Sequence, residues 1–341
     1  MEKKVLIQYN LLRLAAIFLV ISTHMLSGVW IAEPGSNTMG WHLREIVRTL
    51  TLSCNGLFFM LSGRFILEKP KDNIPAFYWD RLVKIGIPVL AAAFLYYAQL
   101  HGLSFHLAYW KDFAKAFLQV QIAGYLWFAM ALAGFYLAAP FLARMFSAMT
   151  QKELWQLLLG ALFYFFLQTM YGIFSLEAPM EGYAFANWGF YCILGFLLDR
   201  LELTEDQYRG FLCAGILGVF LISVQEIWFT GRNPLLYSFA PSMILLCSGI
   251  YLFVTRRQHE GSRRFQGIVN GLSRYIFFIY LFHGLTHNLI FEFLGDFVPA
   301  GYGFWLFLSL LSFLMALGLS VPAYHLLYRP LCRVLLRKKP A

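Results

Sequence analysis

NLLRLAAIFLVISTH, residues 10–24, is apolar enough to lie in a membrane yet holds Arg13 and His24. Eleven residues separate the two. On an α-helix that spacing advances about 16 Å and returns to within about 20° of the starting direction. Both polar groups therefore share one face of one helix, about three turns apart. Ionisable groups within a membrane helix are costly and commonly face a cavity or a functional pathway. A membrane helix with a polar stripe sets the fold class, and the rest of the chain follows it.

Of the 341 residues, 60% are hydrophobic, 18% aromatic and only 13% charged, and the mean hydropathy is +0.62. A soluble domain of this size carries far more charge. The net charge of +9 does not indicate a nucleic-acid partner, because the basic residues sit in short segments between apolar runs. Spans of about 20 mostly apolar residues are expected at 6–30, 47–68, 85–101, 123–143, 154–174, 185–201, 211–229, 235–254, 275–294 and 303–327. With the N-terminus in the cytoplasm, only Arg44, Lys111, Lys115 and Arg232 of the 27 Lys and Arg fall in outer segments. Arg13, Arg48 and Arg64 fall in or at the edge of spans, and the remaining 20 are inside. That asymmetry predicts an all-α, polytopic bundle of about ten transmembrane helices with both termini cytoplasmic. A single domain over 1–341 is expected, since no soluble domain or internal repeat interrupts the pattern.

The apolar run after Lys3 and Lys4 is too long for a signal-peptide core and contains Arg13 and His24, so an uncleaved first helix is expected. Cys54, Cys192, Cys213 and Cys247 fall within spans and Cys332 in the inner tail, where buried free thiols are expected rather than disulfides.

Arg13, near the inner side, is long enough to snorkel to headgroups. His24 is deeper, towards the outer half, and too short to snorkel; histidine is the usual general base near neutral pH. The second span ends GLFFMLSGRFIL (56–67), which places Arg64 near the inner end, small residues for close packing, and Asn55 as a buried polar group further out. FYWDRLVKIGIP (77–88) puts Arg81 and Lys84 on one face at the inner mouth of span three, where Pro88 is expected to bend the helix. Cations of this kind either mark the inner face or clamp a polyanion. Glu68 and Asp80 supply only some of the counter-charge for Arg13, Arg64, Arg81 and Lys84. IYLFHGLTHN (279–288) carries His283 and His287 at metal-ligand spacing, but no third ligand is apparent and no metal is expected. Gln168, Gln225, Glu226 and Glu292 lie towards the outer ends of spans; with Glu177, Glu181 and Trp188 they either form an ordinary interfacial belt or line an acceptor site.

Together, NLLRLAAIFLVISTH, LFFMLSGRFIL, RxxKIGIP, YLWFAMALAGFYLAAPFL (125–142) and NWGFYCILGFLLD (187–199) resemble acyltransferase family 3, bacterial integral membrane O-acetyltransferases of surface glycans. The Arg-to-His spacing and the FFxLSG segment are the most specific parts. The resemblance implies an inner-membrane, multi-pass enzyme of cell-envelope polysaccharide modification. It would transfer acyl groups, commonly acetyl, from cytoplasmic acyl-CoA (acetyl-CoA) to a hydroxyl of a surface or lipid-linked saccharide. His24 matches the family's essential histidine and Arg13 its first-span arginine. Arg81 and Lys84 match the basic pair near span three, and together with Arg64 they are the expected CoA-binding cations. Asn55, Trp127, Trp188 and His283 are the expected substrate-lining residues. His24 would act either as a base or as an acyl carrier. Arg64 occupies a position where many members carry an apolar or small residue, and the departure that matters is Asn10, where many relatives carry Asp. The runner-up reading is a transporter or exporter of a glycan or small polar solute, using the Arg13–His24 pathway.

Overall fold

A computed structural model describes residues 7–31, 38–173, 188–228, 239–257, 261–295, 297 and 300–336. The described residues form helices joined by short turns and loops, with no strand among them. The helices are α1 (Ile7–Gly28), α2 (Met39–Thr51), α3 (Ser53–Ile66), α4 (Ile74–Arg81), α5 (Ile87–His101), α6 (Leu107–Leu118), α7 (Trp127–Ser147) and α8 (Gln151–Ile173). They continue as α9 (Gly189–Arg200), α10 (Glu205–Trp228), α11 (Pro241–Arg256), α12 (Arg263–Ser273), α13 (Ile276–Leu294), α14 (Tyr302–Pro322) and α15 (Arg329–Leu335).

Among the described residues, eight helical rods are long and apolar enough to cross a membrane, and each overlaps one of the expected spans. The expected spans 185–201 and 235–254 correspond to α9 and α11, which have only 12 and 16 described residues. Twelve residues reach about 18 Å, well short of a bilayer core of about 30 Å. Packing explains why α9 tolerates its length: its residues are largely buried against α3, α7, α8 and α11 rather than in lipid. By contrast, Leu159, Phe163 and Phe166 of α8 and Ile216 and Phe220 of α10 point outward, as lipid-facing side chains do.

Proline shapes two rods. Pro88 has no N–H for the Lys84 carbonyl, and the preceding turn, Leu82–Gly86, is π-helical, with the Ile87 amide bonded to the Leu82 carbonyl. The widened turn lets α4 and α5 run on as one rod, so span three is longer than the expected 85–101. The turn Ala323–Tyr328, just before Pro330, does the same between α14 and α15. The cysteines are all free; Cys213 is exposed and Cys332 half-buried, contrary to the uniform burial expected.

α1 lies at the centre, against α3, α11, α12, α13 and α14. The indole of Trp305 donates to the Ser22 carbonyl at 2.7 Å, tying α14 to α1. α3 and α9 cross backbone to backbone at Gly63 and Gly195. A Cβ at Gly63 would strike the Cys192 backbone, and one at Gly195 the Met60 backbone. The buried side chains form two clusters. One is centred on α3, α7, α8, α9 and α11; the other joins the second half of α1 to α5, α13 and α14. The principal cavity opens along their seam.

Candidate active site

The cavity, about 350 Å³, is lined by Arg13 and His24 of α1, Asn55 of α3, Arg81 and Lys84 at the α4–α5 junction, Trp127 of α7 and His283 of α13. Seven of the nine residues singled out from the sequence thus meet in one space. The helical register of α1 puts Arg13 near one end and His24 about 16 Å further along.

At the Arg13 end the field is positive. The Arg13 guanidinium donates to Asn10 Oδ1 at 3.2 Å and lies 4.5 Å over the Phe65 ring, with no carboxylate at ion-pair distance among the described residues. Asn10 in turn donates to Asn270 Oδ1 at 2.9 Å, so it bridges α1 to α12 without neutralising Arg13. Asp80 is shared between Arg81 (3.2 Å) and Lys84 (2.6 Å). Three cations therefore face one carboxylate. A side branch of about 160 Å³ lies between Arg13 and Arg81. Just outside the spans, burial and then the Arg81 charge hold the Lys71 ammonium below its usual range.

Arg64 and Trp188 do not reach this cavity. Arg64 pairs with Asp199 of α9 and, at 3.7 Å, with Glu68; Tyr9 also donates to Asp199. Arg64 lines a separate small pocket with Glu68 and Asp199. Trp188 stands behind the wall, 5.1 Å from Phe59 and 4.9 Å from Trp127. Gln168 donates to the Tyr164 hydroxyl, Gln225 is buried and Glu292 exposed, and none lines the cavity. Glu177, Glu181 and the Glu226 side chain lie outside the described residues.

At the His24 end the walls are aromatic. The Tyr125 ring meets His24 edge-on at 4.9 Å and His283 at 5.0 Å, and the two imidazoles are 5.2 Å apart, centroid to centroid. A short 3₁₀ turn, Gly124–Leu126, sets Tyr125 there, and its carbonyl accepts from the Tyr280 hydroxyl at 2.6 Å. Tyr125 and Tyr280 are site residues that sequence reasoning missed. Their signals were a place two residues before Trp127 and a three-residue offset from His283 on one helical face. Asn55 has its Oδ1 3.7 Å from Cys54 Sγ, and its amide nitrogen has no partner among the described residues. Among those residues no group of three or more His, Cys, Asp or Glu is placed to hold a metal.

A half-buried histidine and a cluster of cations thus line one cavity. The family model for an acyltransferase domain, acyltransferase family 3, matches residues 6–325. The chain belongs to that family. No curated protein and no solved structure matches it. The match spans the cavity residues from Arg13 to His283; Tyr328, which also lines the cavity, lies just beyond it. Family membership and the apolar rods together make the protein a multi-pass membrane acyltransferase, which acts between an acyl donor and an acceptor.

Proposed function

We propose that the protein is an O-acyltransferase of the bacterial inner membrane, with ten spans and both termini in the cytoplasm. It moves an acetyl group from cytoplasmic acetyl-CoA to a hydroxyl of a surface or lipid-linked saccharide. The observation that carries this reading is the single cavity that holds the Arg13, Arg81 and Lys84 cations and also His24. CoA phosphates bind the cations, which are under-compensated by Asp80. The pantetheine arm runs along α1 past Arg13 and brings the thioester to His24. His24 accepts the proton of the acceptor hydroxyl as that oxygen attacks the thioester carbonyl. The Asn55 amide, unpartnered in the wall, donates to the developing oxyanion. Trp127 offers the sugar an aromatic face, with Trp188 packed behind it as support. Arg64 holds α3 to α9 through Asp199 rather than binding CoA.

The test is turnover by purified protein in detergent, read as thiol release from acetyl-CoA. His24→Ala is expected to abolish it while the protein keeps its elution profile and melting temperature. Undiminished release by His24→Ala would refute the role given to His24. A wild-type protein that neither binds nor turns over acyl-CoA, yet shows proton-dependent solute flux, would replace the enzyme with the transporter.

A further inference from the structure

His283 is buried to 1% exposure, and its Nδ1 lies 2.5 Å from the Tyr280 carbonyl on its own helix. A carbonyl only accepts, so Nδ1 carries the proton and Nε2 is a bare lone pair. That Nε2 is buried and has no hydrogen-bond partner among the described residues. A buried acceptor left unpaired costs about 1–3 kcal/mol, which a structural histidine has no reason to carry. The residue lines the cavity, on the side where His24 stands 5.2 Å away. That separation leaves the two rings within reach of an N···N hydrogen bond of roughly 3 Å once a His24 ring N–H turns towards Nε2, although the bond is not formed here.

The surroundings hold His283 in this pose. The Tyr96 hydroxyl donates to the Leu281 carbonyl at 2.9 Å and accepts from the Leu285 amide at 3.1 Å. These are the two groups an α-helix would join directly, so the hydroxyl of α5 is wedged into the turn of α13 that carries His283. Gly284 makes room for it: a Cβ there would overlap the Tyr125 ring and stand 2.7 Å from the Tyr96 oxygen.

We propose that His283 is the positioning residue for His24, accepting a hydrogen bond at Nε2 from one His24 ring N–H. With that N–H engaged, the other His24 nitrogen must present a lone pair to the acceptor hydroxyl. The device sets the tautomer of the base, as the aspartate of a serine-protease triad does, but with a neutral partner that suits a membrane interior. In the reaction the hydroxyl proton passes to His24, the oxygen–acyl bond forms and the carbon–sulfur bond breaks. The thiolate then takes the proton back from His24, and His283 keeps its own Nδ1 proton throughout. The groups facing His283 are His24 from α1, Tyr125 from the turn before α7, Tyr96 from α5, and Tyr280 and His287 from α13. No charged side chain is among them in the described residues.

The inference rests on the reading of His24 as the base, and asparagine and glutamine substitutions separate the two. His283→Asn keeps a donor for the Tyr280 carbonyl but has nothing at the Nε2 position; His283→Gln reaches that position with its amide oxygen. His283→Asn is expected to lower kcat about 100-fold with the KM for acetyl-CoA within about threefold. The acid limb of its pH–kcat profile should move about one unit lower, because the His24 imidazolium loses an acceptor. His283→Gln should recover kcat to within about tenfold of wild type and restore the limb. Equal kcat in the two variants, or an unmoved limb in His283→Asn, overturns the inference and leaves His24 as base. Turnover that survives His24→Ala overturns both.

Discussion

Arg81→Ala isolates the nucleotide clamp from the chemistry. Arg81 is about one-third exposed and shares Asp80 with Lys84. A hydrogen bond to a charged group is worth about 1.5–3 kcal/mol net, and about 1.4 kcal/mol is tenfold in binding. Sharing with Asp80 and partial exposure put Arg81 at the low end of that range, so its loss is expected to raise the KM for acetyl-CoA about 10- to 30-fold. The value of kcat should change less than about threefold, because Arg81 stands beside Arg13, and His24 lies about 16 Å from Arg13 along α1. Calorimetric titration with CoA itself should show the same loss of affinity. The decisive control is a truncated thioester, the acetyl ester of N-acetylcysteamine, which has no phosphates. Wild type and Arg81→Ala should use it equally well. An equal penalty on both thioesters, or a fall in kcat on acetyl-CoA without a change in KM, would refute the clamp.

Other substitutions read separate parts of the account. Arg64→Met leaves Asp199 without its cation and should cost about 3 kcal/mol of stability, seen as a lower melting temperature with an unchanged KM for acetyl-CoA; Arg64→Met combined with Asp199→Leu should recover part of it. Asn10→Leu removes the bonds to Arg13 and Asn270 and should destabilise by about 2 kcal/mol by denaturation in detergent. Tyr96→Phe withdraws the hydroxyl from α13 and should lower kcat about tenfold with KM unchanged, measured by thiol release. Gly63→Ala forces α3 off the Cys192 backbone and should cost about 3 kcal/mol or prevent folding, judged by gel filtration and melting.

The parts of the site set by one helix were legible in the sequence. Arg13 and His24 share a face because eleven residues nearly complete whole turns, and Arg81 and Lys84 reach the same cavity by the same local logic. Pro88 announced a distortion, though not that the helix would absorb it as a π-turn and continue. What the sequence hid depends on partners far along the chain. Arg64 looked like a fourth cation at the mouth because nothing local marks Asp199, 135 residues later, as its counter-ion. Tyr96 is likewise ordinary in its own helix; only the crossing of α5 and α13 sets its hydroxyl beside His283. α9 was expected as a span on hydropathy, and its apolar residues prove to serve packing between helices as much as contact with lipid.

The proposed reaction runs in one direction: the donor enters at the Arg13 end and reacts at His24. Sealed membrane vesicles of the two orientations test it with radiolabelled acetyl-CoA, which does not cross a bilayer. Inside-out vesicles are expected to transfer label to saccharide, and right-side-out vesicles only after permeabilisation, with His24→Ala inactive in both. Labelling by intact right-side-out vesicles, or by His24→Ala in either orientation, would contradict the account.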